Sequence, residues 1–565
     1  MGDTQLSIAI TGAGGAGVIS CGELLLKAWA HCGGRGLLRK AFGPQIRGGE
    51  AAALLKFTGH ERYTAAARYD IIVALDWVNF DRFQDEIIAG PDTVVICEDS
   101  ERIPASLKGV PVIHHAFAQL ASSSHPEGRM NMVAAGFLGH LLQLPMKALL
   151  EQALTKLANK PEAYRDGARA CIASGYAASR DIDRPLPARD ASGAWCLTGN
   201  QAAGFGALSA GVRFAAAYPI TPASDALEWL AGGLEAVGGH LMQAEDELAA
   251  INMTIGAAFG GVPAFTATSG PGLALMSESL GLAVASETPL TLLNVMRGGP
   301  STGIPTKSEQ ADLDIALYGL HGDAPHLVLA ALDIPDCAFT TAWAVQLAQA
   351  LQVPAIVLSD QFLGQSTAVV APPRLPSALS AVEPTPSTTD EYLRYRLTAS
   401  GVSTLAHPGD ADARYTADGL EHNERGTPSA RASDHREQLD KRRRKLEAFY
   451  YGADWGRCDG KGDTALVSFG SASAAVDEAA ALLAEEGTPV RTVALRLLAP
   501  LPATGLALAL AGCSHVLVVE QNHSAQLYHY LKGRLDLPLE SLAIPGPVPL
   551  NPHTIADAVG ARQDA

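Results

Sequence analysis

Four short stretches of this chain combine residue types that could hold and polarise a small anionic substrate. Ala217-Tyr-Pro-Ile-Thr-Pro-Ala-Ser-Asp225 ends an apolar strand pattern and carries Thr221 between two prolines. Gln243-Ala-Glu-Asp-Glu-Leu-Ala-Ala250 puts Glu245, Asp246 and Glu247 ahead of a long uncharged segment. An acid in that position lies partly buried, and burial raises its pKa. Thr268-Ser-Gly-Pro-Gly272 is a tight turn after another strand pattern. Asn294-Val-Met-Arg-Gly-Gly-Pro-Ser-Thr-Gly303 sets Arg297 at the C-terminal end of a buried strand, where open α/β sheets bind ligands. A guanidinium there suits bidentate capture of a carboxylate. Plain structural roles compete with these. Thr221 as N-cap with Pro222 at the first helical position is an ordinary helix start, and three acids at a helix N-terminus complement its dipole.

A fifth feature is Gly12-Ala-Gly-Gly-Ala-Gly17, between a strand pattern at Ser7–Thr11 and a helical one from Val18 to about His31. Backbone N–H groups at such a turn favour an anion. A dinucleotide site expects an acid about 20 residues on, but that region reads Arg35-Gly-Leu-Leu-Arg-Lys40. Arg35, Arg39, Lys40 and Arg47 form a basic cluster that suits phosphates or an acidic partner; a tight turn with a solvated basic rim is the equal alternative.

The elements that must carry these residues alternate strand with helix, which specifies parallel sheets. In the first segment strands are expected at Ser7–Thr11, Ile71–Leu75 and Thr93–Cys97. In the second they fall at Phe214–Tyr218, Ala264–Thr268, Leu290–Val295 and Pro354–Leu358; in the third, at Thr464–Phe469, Val490–Ala494 and Val516–Glu520, with a helix at Ala474–Glu486. The fold class is α/β, with three α/β domains: residues 1–185, a linker at 186–194, residues 195–370, an extended arm at 371–460 that is rich in Pro, Ser, Thr, Asp and Arg, and residues 461–565.

Composition narrows the function. The 565 residues hold 42 Lys+Arg against 59 Asp+Glu, a formal charge of −17, which argues against a nucleic-acid surface. Hydrophobic residues at 47% and charged residues at 18% describe globular cores. The uncharged stretches at 248–277 and 497–519 are broken by glycines and prolines, so neither is a membrane span. The start shows no signal peptide. The eight cysteines include no CxxC pair and no histidine at zinc spacing, as expected of reduced thiols in a cytoplasmic protein.

Together, YPITP, QAEDE, TSGPG and NVMRGGPSTG resemble the pyrimidine-binding domain of the 2-oxoacid:ferredoxin oxidoreductases. GAGGAGVIS with FGPQIRGGE resembles that family's gamma domain, and Glu520-Gln-Asn-His-Ser-Ala-Gln526 its transketolase C-terminal-like domain. The arm motif Asp418-Gly-Leu-Glu-His-Asn-Glu424 is similar to the 2-oxoglutarate subtype. The resemblance covers almost the whole chain and implies a fused alpha subunit. It implies thiamine diphosphate, with Glu245 hydrogen-bonded to the aminopyrimidine N1′ and Tyr218, Pro219, Ile220, Ser269 and Gly270 around the cofactor. Thr221 and Arg297 would hold the substrate's carboxylate and carbonyl side. Gly14, Gly15 and Arg47 would contribute to a coenzyme A site.

The resemblance also implies what lies elsewhere. Gly322-Asp-Ala324 and Cys458-Asp-Gly460 depart from the Gly-Asp-Gly that holds Mg²⁺ and the diphosphate, and no cysteines cluster. The diphosphate half-site with its Mg²⁺ and the 4Fe–4S cluster are therefore expected on a beta subunit, in a dimer of heterodimers that reduces ferredoxin. The implied reaction joins 2-oxoglutarate and coenzyme A, giving succinyl-CoA and CO₂. Branched-chain 2-oxoacids, aryl-pyruvate or pyruvate are alternative substrates. A non-catalytic scaffold and a nicotinamide dehydrogenase are readings from other classes.

Overall fold

A computed structural model describes residues 4–43, 49–61, 63–98, 102–179, 184–304, 306–379 and 391–563. The chain forms two compact units. One comprises the residues up to Thr198 together with Gln365–Pro372; the other comprises Gly199–Gly364 and Pro373–Ala565.

The first unit is built on an eight-stranded sheet. Gln5–Ala13 is buried from Leu6 through Gly12, as a strand covered on both faces must be. On one side of it Tyr69–Ala74, Ala89–Cys97 and Val112–His114 follow in parallel order, as the alternation of strand and helix requires. On the other side the sheet is antiparallel, running through Glu50–Thr58, Arg35–Phe42, Thr367–Val370 and Trp195–Thr198. The sequence reading expects only the parallel half. Between Arg35–Phe42 and Glu50–Thr58 the connection is too short for a crossover helix, so a hairpin is the available geometry. Helix Val18–His31 forms where its periodicity places it and buries Leu24, Leu25, Ala28 and Trp29.

The second unit holds two sheets. In the seven-stranded sheet, Leu327–Ala330, Pro354–Asp360, Leu290–Met296, Ala264–Thr268, Phe214–Ala217 and His240–Gln243 lie in that order and are all parallel. Leu497–Ala499 closes one edge antiparallel to Leu327–Ala330. The five-stranded sheet runs Gly456–Gly460, Arg491–Leu495, Thr464–Phe469, His515–Glu520 and Leu539–Ala543, parallel except for its first strand. One apolar cluster joins both sheets, with Leu292 and Ile356 from the first and Val467, Leu495 and Val518 from the second. The two sheets therefore share a core.

Among the described residues the arm contains helix Ala432–Glu447, which composition does not reveal, and ends in strand Gly456–Gly460. Lys441 and Lys445 of that helix are fully buried and both pair with the fully buried Glu287, Lys445 at 3.0 Å. Arg394 donates to the Glu287 carbonyl oxygen at 2.9 Å. A basic run that would ordinarily coat a solvated face here anchors the arm through a buried carboxylate.

Candidate functional site

In a parallel sheet every strand delivers its following loop to the same edge. Phe214–Ala217 pairs with His240–Gln243 so that Ala217 stands opposite Gln243, and Tyr218 and Glu245 leave at that edge together. Ala264–Thr268 and Leu290–Met296 deliver Ser269-Gly270 and Arg297 to it, with Thr268 opposite Asn294. The edge thus gathers the five motif residues Tyr218, Thr221, Glu245, Ser269 and Arg297.

Thr221 is not a helix cap. The Ile220 carbonyl accepts from the N–H groups of Ala223 and Ser224 at 2.8 and 3.0 Å, and the helix begins at Ser224. This turn instead presents its backbone to Arg297, whose Nη1 donates to the Thr221 carbonyl at 2.6 Å. Asn200 Nδ2 holds the Pro222 carbonyl at 2.8 Å from the other side. Tyr218, Pro219 and Thr221 are exposed, and Ile220 is half-buried.

Arg297 is half-buried and makes no ion pair among the described residues, and its Nε is buried without a partner. Burial lowers its pKa, and the charge of Asp312 opposes that shift. Sequence reasoning missed Asp312. It accepts a 2.9 Å hydrogen bond from Asn294 Nδ2, and its carboxyl crowds Gly270 so closely that a Cβ there would lie 2.7 Å from Oδ1. Burial raises the Asp312 pKa, with Asn294 and Arg297 pulling the other way. The signal available in sequence was an acid a short loop beyond Arg297, in Ser308-Glu-Gln-Ala-Asp312.

The acidic triplet separates into three roles. Asp246 caps helix Glu247–Phe259 by accepting from the Ala249 N–H at 2.7 Å. Glu247 is the buried acid. It packs under Gly272, where a Cβ would lie 2.8 Å from Glu247 Cγ and 2.0 Å from Thr268 Oγ1. The burial expected of an acid in this triplet falls to Glu247, whereas Glu245 is exposed and has no partner among the described residues. Nearby, Ser269 Oγ is fully buried without a partner.

In the first unit the glycine loop is already occupied by protein groups. Ala13 N–H donates to both carboxylate oxygens of Asp76, at 2.9 and 3.1 Å, and Gly14 N–H donates to the Gly49 carbonyl. Gly17 has φ 78° and precedes the helix, its Cα against Asn131. Gly14 and Gly15 are exposed, with open space at Gly15. Arg47 lies outside the described residues. The remaining basic residues do not cluster: strand alternation sends Lys40 to the face opposite Arg39, and Arg35 lies four residues along the strand from Arg39. Arg39 is buried against Glu86, Lys40 pairs with Glu23 at 2.8 Å, and Arg35 pairs with Asp190. Neither a phosphate-binding cluster nor a solvated rim describes these three.

The Glu520–Gln526 motif serves to dock one sheet on the other. Glu520 accepts from the N–H groups of Leu527 and Tyr528 at 2.8 and 2.9 Å. The buried Gln310 donates to the Phe469 carbonyl at 2.7 Å and accepts from Gln521 N–H at 2.8 Å. Among the described residues, no group of three or more His, Cys, Asp or Glu is arranged to hold a metal, and no helix is long and apolar enough to cross a membrane. The eight cysteines are all free.

Comparison with known proteins accounts for this arrangement. Residues 205–441 match the family described as pyruvate flavodoxin/ferredoxin oxidoreductase, thiamine diphosphate-binding, and residues 7–178 match pyruvate ferredoxin/flavodoxin oxidoreductase. The 2-oxoglutarate synthase subunit KorA of Methanothermobacter marburgensis is 35% identical over 340 residues, covering 59% of this chain and 89% of that one. The 2-oxoacid:ferredoxin oxidoreductase subunit alpha of Saccharolobus solfataricus is 36% identical over 364 residues, covering 60% of this chain and 56% of that relative. A solved 2-oxoglutarate:ferredoxin oxidoreductase from Magnetococcus marinus, with 2-oxoglutarate, coenzyme A and succinyl-CoA bound, superposes with a TM-score of 0.90 at 33% identity over 99% of both chains. On these likenesses and on the shared edge of its seven-stranded sheet, the chain belongs to the 2-oxoacid:ferredoxin oxidoreductase family.

Proposed function

We propose that this chain is the alpha subunit of a thiamine-dependent 2-oxoglutarate:ferredoxin oxidoreductase. The reaction takes 2-oxoglutarate, coenzyme A and oxidised ferredoxin reversibly to succinyl-CoA, CO₂ and reduced ferredoxin. One observation carries the proposal: at the sheet edge, an arginine fork fixed to Thr221 and an exposed Glu245 stand with no ion-pair partner among the described residues.

The residues fit the pyrimidine half of thiamine diphosphate. Glu245 offers an open carboxylate, Ser269 an unused buried hydroxyl, and Tyr218 an exposed ring. The cofactor supplies a nucleophile for the 2-oxo carbon and an electron sink for decarboxylation. Glu245 holds a proton between its carboxylate and the pyrimidine nitrogen N1′. Arg297 orients the substrate carboxylate before it departs as CO₂, a positioning contribution. Its one bond to Thr221 leaves donors on the fork for that carboxylate. Pro219, Ile220 and Gly270 shape the wall around the ring.

The diphosphate with its Mg²⁺ and the 4Fe–4S cluster belong to a beta partner, in a dimer of heterodimers that passes electrons to ferredoxin. The scattered positions of the eight cysteines support that division. Gly14 and Gly15, exposed at the loop before helix Val18–His31, contribute to the coenzyme A site, with Arg47. The test is co-expression with the beta partner and a panel of 2-oxoacids scored by kcat/KM, with coenzyme A and a ferredoxin or viologen acceptor. Preference for 2-oxoglutarate over pyruvate, aryl-pyruvate and branched-chain acids is expected. Turnover by the alpha chain alone would overturn the half-site assignment.

A further inference from the structure

The aim of Arg297 depends on where the Thr221 carbonyl points, because that oxygen accepts from its Nη1 at 2.6 Å. Thr221 is followed by Pro222, whose ring locks φ, so a single free torsion separates the Thr221 carbonyl from the peptide between Pro222 and Ala223. That peptide is held at both ends. Its N–H, on Ala223, donates to the Ile220 carbonyl at 2.8 Å. Its carbonyl, on Pro222, accepts from Asn200 Nδ2 at 2.8 Å. The first bond is local to the turn; the second ties the turn to the start of helix Gly199–Ser209.

Asn200 is built into that place. Its side chain is buried, at 1% exposure. Gly364 admits the carboxamide, since a Cβ there would lie 2.8 Å from Asn200 Oδ1 and 2.9 Å from Val295 Cγ1. Val295 belongs to strand Leu290–Met296, which delivers Arg297. Gly199 is pressed on the Leu363 carbonyl, where a Cβ would lie 2.3 Å away. Asn200 Oδ1 is buried without a partner among the described residues. Burying an amide with one end unused is unfavourable, and an apolar side chain would fill the space without that cost. What an apolar side chain lacks is the donor that Pro222 receives.

We infer that Asn200 is a positioning residue for Arg297: by holding the Pro222 carbonyl it fixes the Thr221 carbonyl, and so the direction in which the guanidinium meets the substrate carboxylate. The inference rests on the proposed role of Arg297 toward a 2-oxoacid. Asn200 acts through the turn and the arginine rather than on the substrate, along a path of two hydrogen bonds and one proline.

The experiment uses the reconstituted two-subunit complex, loaded with thiamine diphosphate and Mg²⁺. Asn200→Asp keeps the size of the side chain and replaces the donor with an oxygen, which cannot hold the Pro222 carbonyl. The expected result is a rise of about tenfold in KM for the 2-oxoacid, with kcat and the KM for coenzyme A nearly unchanged. In an Arg297→Ala background the same change should add nothing to KM, because the residue it acts through is gone. An equal rise in KM with and without Arg297 overturns the inference. So does a lowered melting temperature with KM kept, the mark of a merely structural residue. If Asn200→Asp does not assemble, Asn200→Ala is read in the same way. Failure of both to assemble makes Asn200 a folding element and also overturns the inference. If the wild-type complex turns over no 2-oxoacid, the functional proposal fails. If it does, and Arg297→Ala raises KM while Asn200→Asp leaves it alone, only the positioning role fails.

Discussion

Arg297 Nη1 donates to the carbonyl oxygen of Thr221 at 2.6 Å, joining two motifs that lie 76 residues apart in the chain. The bond fixes one arm of the guanidinium on a backbone atom, which no side-chain substitution at Thr221 removes. Arg297→Ala should therefore act on substrate capture rather than on the shape of the turn, which Ile220 and Asn200 hold independently. Charge-assisted hydrogen bonds contribute about 1.5–3 kcal/mol, so KM for the 2-oxoacid should rise roughly 10- to 100-fold with a smaller change in kcat. Steady-state kinetics of the reconstituted complex check this. An unchanged KM would remove Arg297 from the site.

Glu245 and Glu247 make opposite predictions. Glu245→Gln keeps the side chain's size and loses the carboxylate from an exposed position, so the complex should assemble with unaltered stability while turnover falls. A loss of roughly 10²- to 10⁴-fold is the scale of a positioned acid–base group. Glu247→Gln alters a buried side chain packed under Gly272 and should lower the melting temperature while turnover per folded complex is kept. Melting curves and rates measured on both variants separate them. A fully active Glu245→Gln would sink the assignment.

The contrast between these two acids also shows what the sequence conveys and where it stops. Periodicity and apolar runs are local, so helix Val18–His31 and strand Ala264–Thr268 were legible to within a residue. The order of motifs also carried the family. The burial of an individual acid is set by its tertiary neighbours. Only the fold reveals that Gly272 makes room for Glu247 and leaves Glu245 outside. Asp312 shows in the sequence only as an acid a short loop beyond Arg297, because its partners Asn294 and Gly270 lie in other motifs. The hairpin of Arg35–Phe42 and Glu50–Thr58 was hidden because its charged residues read as a surface cluster. In fact Arg39 and Lys40 leave opposite faces of the strand toward Glu86 and Glu23.

That separation gives a third prediction. Arg39→Leu removes the cation of the buried Arg39–Glu86 pair, and breaking a buried pair in this way costs about 3–5 kcal/mol. The variant should unfold at markedly lower temperature or denaturant. Lys40→Ala removes a half-exposed pair with Glu23, and exposed pairs contribute only about 0–1 kcal/mol. Neither variant, when folded, should change the KM for coenzyme A. A large rise in that KM with Lys40→Ala would restore the basic-cluster reading.

The anchoring of the arm should depend on pH through Glu287 and Lys445, with signs that can be worked out separately. Burial tends to raise the Glu287 pKa, but Lys441, Lys445 and Arg394 outweigh it and hold the carboxyl well below the usual range. Unfolded glutamate titrates near about 4.3, so the stability this group contributes is complete above that pH and is lost as pH falls toward the depressed folded value. Lys445 is pushed down to about 7, by burial first, with Glu287 opposing. Unfolded lysine titrates near about 10.4, so from pH 7 upward the unfolded chain binds a proton that the folded chain has released, and stability rises with pH across that window. Hydrogen exchange in helix Ala432–Glu447, corrected for the intrinsic rate, reports the arm alone. Protection should increase from pH 7 to pH 9 in the wild type, and that increase should shrink in Lys445→Met, where the buried Lys441 with its lowered pKa remains. Glu287→Gln leaves two buried lysines without their anion, so at pH 7 it should lose much of the helix's protection, with the gap to wild type beginning to narrow below about pH 4, where the unfolded glutamate takes up its proton, and closing only toward the depressed folded value. Equal protection in Glu287→Gln and wild type at pH 7 would mean that the buried pairs do not hold the arm.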